Sequence, residues 1–250
     1  MRAYWTLVQR ELGGHFFSWA GYVVMGLILF LVGLVSIALL YPLNGVAIDQ
    51  PLTSVFYSTW YLWLILMLAT PVITMRSFAQ EKFSGTYETL MTTPVSDGQV
   101  VMAKFSGALI FYGLMCLPLL SWFFLAQPFS NDSAVLDGGT ITATFLGIML
   151  WGSLCLSLGC LASAITRSQI IAVIISVAAG LALFLVSYIA TFFTAQTGWK
   201  AEISAHLKLT EHMQDFARGV VDSRPVVFYL SFTVLFLFLT LKVVESRRWK

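Results

Sequence analysis

Residues 138 to 166 read GGTITATFLGIMLWGSLCLSLGCLASAIT and contain no charged side chain. About 20 apolar residues, each rising 1.5 Å, cross the roughly 30 Å hydrocarbon core of a bilayer as one helix. This stretch therefore predicts one membrane-spanning helix and is too short for two. The same pattern recurs in five further runs without charge, at 12–48, 50–75, 105–131, 168–199 and 225–241. Together the runs predict six spans.

The composition indicates an all-α integral membrane protein with a single transmembrane domain over 1–250. Hydrophobic residues make up 58% of the chain and charged residues 10%, and the mean hydropathy is +0.84. Charged residues make up about a quarter of soluble domains. The segments between the runs are too short for a soluble catalytic or nucleotide-binding domain. The net charge of +2 gives no indication of nucleic-acid binding.

We place the spans at 16–40, 55–75, 105–125, 141–164, 170–193 and 225–244. The first is expected to be retained rather than removed as a signal peptide. Ten of the 14 Lys and Arg residues fall in the N-terminus, the second and fourth connections and the C-terminal tail. The positive-inside rule therefore predicts that both termini are cytoplasmic. The fifth connection departs in part from this rule, since it places four basic residues on the predicted outer side: Lys200, Lys208, Arg218 and Arg224.

The residues missing from the spans exclude several functions. No Asp, Glu, Lys or Arg lies within a predicted span away from its ends, which disfavours an ion-coupled carrier. The chain has no HExxH or GxSxG pattern, so we predict no catalytic residues and no metal site. Three cysteines lie in apolar runs and predict packing rather than a disulfide framework: Cys116, Cys155 and Cys160.

Small residues recur at four-residue spacing in spans four and five, a pattern typical of closely packed membrane helices. The alternatives are contact within one bundle, an interface between subunits, or a pathway lined by these helices. The candidate residues are Ser153, Ser157, Gly159, Ser163, Ser176 and Gly180.

The connection at 76–104 contains a short element between two breaks. Gly85 can end one helix, Thr86 can begin another, and Pro94 stops it. Ser96 and Gln99 form a capping box that predicts the start of the helix leading into span three. The short element has an acidic residue and an apolar side made of Tyr87, Leu90 and Met91. From composition alone, this segment is a solvated loop lying on the membrane.

Two flanking segments are amphipathic. Residues 1–15 carry Tyr4, Val8 and Leu12 on one stripe, which predicts an interfacial helix. The connection at 194–224 carries a second stripe, closed by a glycine, and predicts an outer helix. The stripe consists of Leu209, Met213, Phe216 and Val220. Gly219 is the predicted helix end, and His206 and His212 are expected at the surface.

The stretch QEKFSGTYETLMTTPVS, residues 80–96, resembles the motif of ABC-2 type ABC transporter permeases, E-x-x-x-G-T-x-E-x-L-x-x-x-P. The matching residues are Glu81, Gly85, Thr86, Glu88, Leu90 and Pro94. The stretch HMQDFARGVVDSRPVVFYLSFTVLFLFLTLKVVESRRW, residues 212–249, is similar to the gliding-motility-associated (GldF-like) branch. With the six-span plan, the resemblance covers essentially the whole chain.

The resemblance implies an ABC-2 permease fold similar to type V exporters, with an N-terminal elbow helix, a cytoplasmic coupling helix and outer helices between spans five and six. It implies a bacterial cytoplasmic (inner) membrane location and two cytoplasmic ABC ATPase subunits that bind ATP and Mg. It further implies a second permease, the same or related, and an auxiliary membrane protein with a large outer domain. The coupling residues would be Gln80, Glu81, Gly85, Thr86, Tyr87, Glu88, Leu90, Met91 and Pro94.

This chain has no GxxxxGK[ST] phosphate loop, so we expect it not to be the ATPase and to bind no cofactor itself. The function that follows is a permease subunit coupling ATP hydrolysis on partner chains to export or to force transmission. A non-transporting anchor subunit of an envelope or gliding-motility complex would share these features. Two more distant classes are a channel, which needs a polar pore lining, and a membrane enzyme, which needs a reactive cluster.

Overall fold

The computed structural model describes residues 2–41, 52–57, 59–86, 95–126, 138–192 and 207–246, and within them all regular structure is helical. The helices are α1 Arg2–Phe16, α2 Trp19–Leu40, α3 Leu52–Tyr57, α4 Trp60–Thr74, α5 Ala79–Phe83, α6 Asp97–Ala126, α7 Gly138–Ile165, α8 Gln169–Phe192, α9 Leu209–Ala217 and α10 Ser223–Ser246.

Six helical segments of the described chain are long and apolar enough to cross a membrane, which confirms the predicted all-helical, six-span fold. They are Gly21–Leu39, Trp60–Phe83, Asp97–Leu120, Gly138–Ile165, Gln169–Ala190 and Ser223–Ser246. The helix of the third span, α6, begins at Asp97, where the predicted Ser96 capping box sets its N-terminus, and so starts ahead of the span boundary placed at Phe105. The Ser96 N–H donates to Gln99 Oε1 at 3.4 Å and the Gln99 N–H donates to Ser96 Oγ at 3.3 Å.

The helix α7 is the centre of the bundle. It packs against α4, α6, α8, α9 and α10. In its most apolar window 78% of the residues are buried, against 17% in α2. A helix that is apolar all round and rich in small residues can be surrounded by other helices without leaving charge in the core. The outer spans α2, α8 and α10 keep most of their surface exposed for lipid or other subunits.

The two ends of the bundle carry different short helices. We call the end that holds α1, α5 and the last turn of α7 the motif end, and the end that holds α3 and α9 the opposite end. The helix α1 packs along α6. Val8 is fully buried in this contact, and the hydroxyl groups of Tyr4 and Ser106 lie 2.7 Å apart. The stripe of Tyr4, Val8 and Leu12, which the sequence predicts at the lipid interface, therefore faces α6.

At the opposite end, α9 is docked onto α7 and α8. Its apolar side chains Met213 and Phe216 are buried, and the Leu209 N–H donates to Ser187 Oγ at 2.7 Å. Gly219, with φ +85°, ends the helix as the sequence predicts. The Gly219 N–H donates to Phe216 O and the next N–H, of Val220, donates to Asp215 O, which is a Schellman C-cap.

Two sequence-based expectations for this segment are wrong. The spacing places Val220 on the buried stripe, yet its side chain is exposed, because the turn at Gly219 takes the chain off the helix axis. The sequence predicts a surface position for His212, yet only 7% of it is exposed. Its ring packs against Phe228 and Tyr229 of α10, with centroids 5.9 and 6.1 Å away. His206 lies outside the described residues.

Candidate functional site

The segment that carries the first half of the sequence motif, residues 75–86, leaves the bundle at the end of α4. It turns at Met75–Phe78, forms α5 and reaches Gly85, whose φ is +72°. Only glycine adopts this left-handed backbone without strain, and no atom of the described residues lies within 4 Å of the position that a Cβ would take. The requirement for glycine at 85 is therefore one of backbone conformation and not of packing.

A partly buried ion cluster joins this segment to α1 and α6. Lys104 Nζ lies 2.9 Å from Glu11 Oε1 and 2.9 Å from Glu81 Oε1. Arg10 Nη2 lies 3.1 Å from the Glu11 carboxylate and 3.0 Å from the Glu81 carboxylate. We call these four residues the charge clasp. Each of α1, α5 and α6 contributes to it, so two cations and two carboxylates hold three helices together.

Burial makes Lys104 the centre of the clasp. Only 3% of its side chain is exposed, whereas 51% of the Arg10 side chain is. An exposed ion pair contributes little, but removing one partner of a buried pair leaves an uncompensated charge. The ammonium group also lies 5.3 Å from the centre of the Phe78 ring, a cation–π contact. The attachment of α5 to α6 therefore depends on Lys104.

The clasp changes the acidity of Glu11. Burial is the largest single influence and would raise the pKa of this carboxyl, but the charges and hydrogen bonds of Lys104 and Arg10 together outweigh it. The pKa of Glu11 is consequently below its ordinary value. The carboxylate is ionised at neutral pH, as the clasp requires.

The C-terminus of α7 holds the same segment from the other side. Ser163 Oγ accepts hydrogen bonds from the N–H groups of Phe78 and Ala79, both at 3.0 Å, and donates to Met75 O at 3.2 Å. Lys82 Nζ donates to the backbone carbonyl of Ala164. The first N–H groups of α5 and one of the last carbonyls of α7 lack partners within their own helices, so each helix end satisfies the other.

The small residues of α7 and α8 are all buried within this one chain: Ser153, Ser157, Gly159, Ser163, Ser176 and Gly180. Gly159 lies against Thr74, Gly180 against Met67, and Ser153 Oγ lies 3.2 Å from Thr233 Oγ1. The Ser157 hydroxyl donates to Leu154 O at 2.7 Å. The contacts of these residues are therefore with α4, α10 and the backbone of their own bundle.

The structure describes only part of the sequence-predicted coupling site. Gln80, Glu81, Gly85 and Thr86 lie together on the motif segment, where Glu81 faces the clasp and the other three are exposed. Phe83 is 81% exposed beside them. The remaining members fall outside the described residues: Tyr87, Glu88, Leu90, Met91 and Pro94.

Sequence reasoning missed Glu11 and Lys104 as site residues. It counted Lys104 as one more cytoplasmic charge, and it treated α1 as a lipid-facing element. A usable indication was present, since Glu11 lies on the same helical side as Val8, three positions later, and so faces the same neighbour. Among the described residues, no group of three or more His, Cys, Asp or Glu side chains could hold a metal ion.

The chain matches the family described as ABC-2 family transporter protein over residues 61–249. The match begins in α4 and includes the motif segment, Lys104, all of α7 and the C-terminal span. No curated protein matches the sequence. The family match covers most of the chain and agrees with the six-span helical fold. The chain therefore belongs to the ABC-2 family of transporter proteins, as a multi-pass membrane permease.

Proposed function

We propose that this permease couples ATP hydrolysis by partner ATPase subunits to movement of its membrane spans, through the connection at 76–104. ABC-2 permeases are membrane components that work with an ATPase subunit. The observation that carries the proposal is the attachment of the motif segment at both sides, to α1 and α6 through the clasp and to α7 through Ser163. A force applied to this segment acts on three helices at once.

The exposed part of the motif segment is suited to contact a partner. Phe83, Ser84, Gly85 and Thr86 are all exposed at the motif end, and an exposed aromatic ring beside a fixed turn is a common anchor in protein interfaces. In the proposal, the ATPase binds this surface together with the adjoining segment that contains Glu88, Leu90 and Met91. Glu88 supplies the polar contact and the two apolar residues supply the anchor.

The proposal extends to location and partners. The motif end faces the cytoplasm of a bacterial inner membrane, both termini lie there, and ATP and Mg bind on the partner ATPases. A second permease subunit completes the transmembrane unit. The similarity of the C-terminal stretch to the gliding-motility-associated branch favours force transmission or export of an amphipathic or polymeric cargo, aided by an auxiliary protein with a large outer domain.

Reversal of the charge at Glu88 tests the coupling role. The complex is purified through a tag on the ATPase, and the amount of permease recovered is measured for the unmodified chain and for Glu88→Arg. We expect Glu88→Arg to reduce recovery and ATPase activity, because a contact charge is reversed. Glu245→Arg is the matched control, since Glu245 is a partly exposed acid at the motif end of α10, outside the proposed surface.

Equal recovery and equal ATPase activity for Glu88→Arg and Glu245→Arg would contradict the coupling role of Glu88. The same preparation tests whether the chain is instead an anchor subunit. A permease that binds the ATPase while leaving its hydrolysis rate unchanged behaves as an anchor, and that result would contradict coupling. Ion currents or substrate turnover by the isolated permease would instead support a channel or an enzyme.

A further inference from the structure

A small cavity, partly open to solvent, lies at the motif end between the α1–α2 elbow, residues 17–18, and the end of α4, with a volume of about 30 Å³. His15 and Ser18 line it from the elbow, Arg76 lines it from the end of α4, and Phe111 forms part of its wall. The remaining lining is apolar or glycine, and no acidic side chain is among the lining residues that the structure describes. The cavity thus has one strong positive charge in an apolar wall.

The hydrogen-bond donors of the Arg76 guanidinium are only partly paired in this cavity. Its Nη1 donates to Ser18 Oγ at 3.0 Å. Its Nε is buried and has no hydrogen-bond partner among the described residues, and within the same part of the chain the guanidinium forms no ion pair. A guanidinium presents five N–H donors in a planar fork that matches a phosphate group. The Nε itself is out of a ligand's reach, but Nη2 is not among the buried unpartnered atoms, so the accessible end of the guanidinium is free to bind an anion.

The elbow adds further groups suited to an anion. Ser18 is the N-cap residue of α2, yet its hydroxyl makes no capping hydrogen bond to the helix and accepts from Arg76 instead. The first N–H groups of a long helix are oriented towards its N-terminus, where they favour negative charge. The His15 ring stacks on Phe111 with centroids 5.0 Å apart. Burial lowers the pKa of His15, so its imidazole is neutral at pH 7 and can donate one hydrogen bond.

The position of the cavity indicates a lipid source for the anion. It lies where α2 begins and α4 ends on the same side of the bundle, at Trp19 and Thr74. The rings of Phe17 and Trp19, on either side of Ser18, are almost fully exposed. Exposed aromatic rings at a span end are typical of the headgroup level of a bilayer. Here a phospholipid can present its phosphate to Arg76 while its acyl chains lie along α2.

We propose that the cavity formed by Arg76, Ser18 and the N-terminus of α2 binds the phosphate of an anionic phospholipid headgroup. The bound lipid fixes the elbow against the end of α4, next to the motif segment that begins at Met75. This inference is independent of the proposed coupling function, because lipid binding is measured on the permease without its ATPase.

Native mass spectrometry of the detergent-purified full chain, titrated with phosphatidylglycerol, tests the proposal. We expect the unmodified chain to bind phosphatidylglycerol and not diacylglycerol, which lacks the phosphate. Arg76→Gln should weaken binding by about tenfold or more, because it removes a charge-assisted, two-pronged contact. Arg167→Gln is the matched control, since Arg167 is exposed at the same end of the bundle, between α7 and α8, and does not line the cavity.

Equal phosphatidylglycerol binding by Arg76→Gln and Arg167→Gln would overturn the site. If Arg76→Gln does not fold, Arg76→Lys keeps the charge without the fork and is expected to bind several-fold more weakly than the unmodified chain. Binding by Arg76→Lys equal to that of the unmodified chain would also overturn the site. A titration with inorganic phosphate shows whether the ligand is a lipid headgroup or free phosphate. Thermal stabilisation by millimolar phosphate without phosphatidylglycerol binding would identify free phosphate as the ligand and overturn the lipid proposal.

Discussion

Lys104 Nζ in α6 lies 2.9 Å from Glu81 Oε1 in the motif segment, and the lysine side chain is almost completely buried. The motif carboxylate is thus held by the span that follows it in the chain. Glu11 of α1 binds the same ammonium group at the same distance. The first acidic residue of the family motif therefore faces the permease itself, and the exposed residues after it remain for a partner.

Removing the buried cation should destabilise the fold. In Lys104→Met, two carboxylates lose the buried one of their two cations and keep only the exposed Arg10, so the cost is at most about 3–5 kcal/mol, that of a fully broken buried pair. The unfolding temperature of the purified permease in detergent measures this loss. Lys242→Met is the control, because Lys242 pairs with Glu245 at 2.8 Å on the exposed surface. Its cost should stay below about 1 kcal/mol. Equal losses in both variants would contradict a buried clasp.

The clasp should also make the protein sensitive to acid. The pKa of Glu11 is below its ordinary value of 4.5 in the folded chain, so its stabilising contribution is fully present above pH 4.5. The contribution is lost as the pH falls through the lowered folded value, because the protonated acid cannot pair with Lys104. The unfolding temperature measured against pH should therefore fall in this acid range.

Glu11→Gln tests the origin of this acid sensitivity. The variant should unfold at a lower temperature than the unmodified chain at neutral pH and should lose less on acidification. Glu245→Gln removes a more exposed acid that also pairs with a lysine, Lys242. In this variant the unfolding temperature should fall on acidification as much as in the unmodified chain. If the unfolding temperature of Glu11→Gln falls on acidification as steeply as that of the unmodified chain, other groups cause the acid sensitivity.

The contact between α7 and α4 should not tolerate a larger residue at Gly159. A Cβ atom there would lie 2.9 Å from the Cβ of Thr74 and closer still to its hydroxyl. Overpacking of this kind costs typically about 1–3 kcal/mol, so Gly159→Ala should lower the unfolding temperature. Gly33→Ala in α2 is the control, since no atom of the residues that the structure describes lies within 4 Å of the added Cβ. Equal stability of the two variants would contradict the close contact.

The turn at Gly85 should matter more for coupling than for stability. Gly85→Ala forces a side chain into a left-handed backbone conformation, at a cost of about 1–2 kcal/mol confined to an exposed turn. We expect a small change in unfolding temperature and a larger loss of ATPase stimulation in the complex. Gly85→Asn should be milder, because Asn tolerates this conformation better.

Gly98→Ala controls for the glycine substitution itself. Gly98 lies in the first turn of α6, its φ is negative and the space around it is open. ATPase stimulation should therefore be unchanged in this variant. A loss of stimulation as large in Gly98→Ala as in Gly85→Ala would remove the special role of the turn.

Much of the fold could be predicted from the sequence because the bilayer imposes a simple rule. A run without charge that is long enough to cross hydrocarbon must be a span, and the six runs became six helical segments. Local backbone rules worked equally well. The Ser96 capping box and the Gly219 helix end both depend on residues close in sequence, so the pattern contains the interaction.

The clasp could not be predicted in the same way. Glu11 and Lys104 are distant in sequence, and a charge near a span end looks the same whether it faces water or a buried partner. His212 shows the same difficulty, since its burial depends on how α10 packs beside α9. The motif was found by resemblance, but the resemblance does not say that Glu81 points into the permease.

The central claim is that the motif segment and the first half of α6 move as one body. Spin labels at Gln80 and Ile110, both exposed and both outside the surface formed by residues 83–86, report this movement as an inter-label distance in the assembled complex. We predict the same distance with and without ATP in the permease that carries only the labels, and an ATP-dependent change once Lys104→Met removes the link between the clasp and α6. A distance that already changes on ATP binding with Lys104 present would contradict the account.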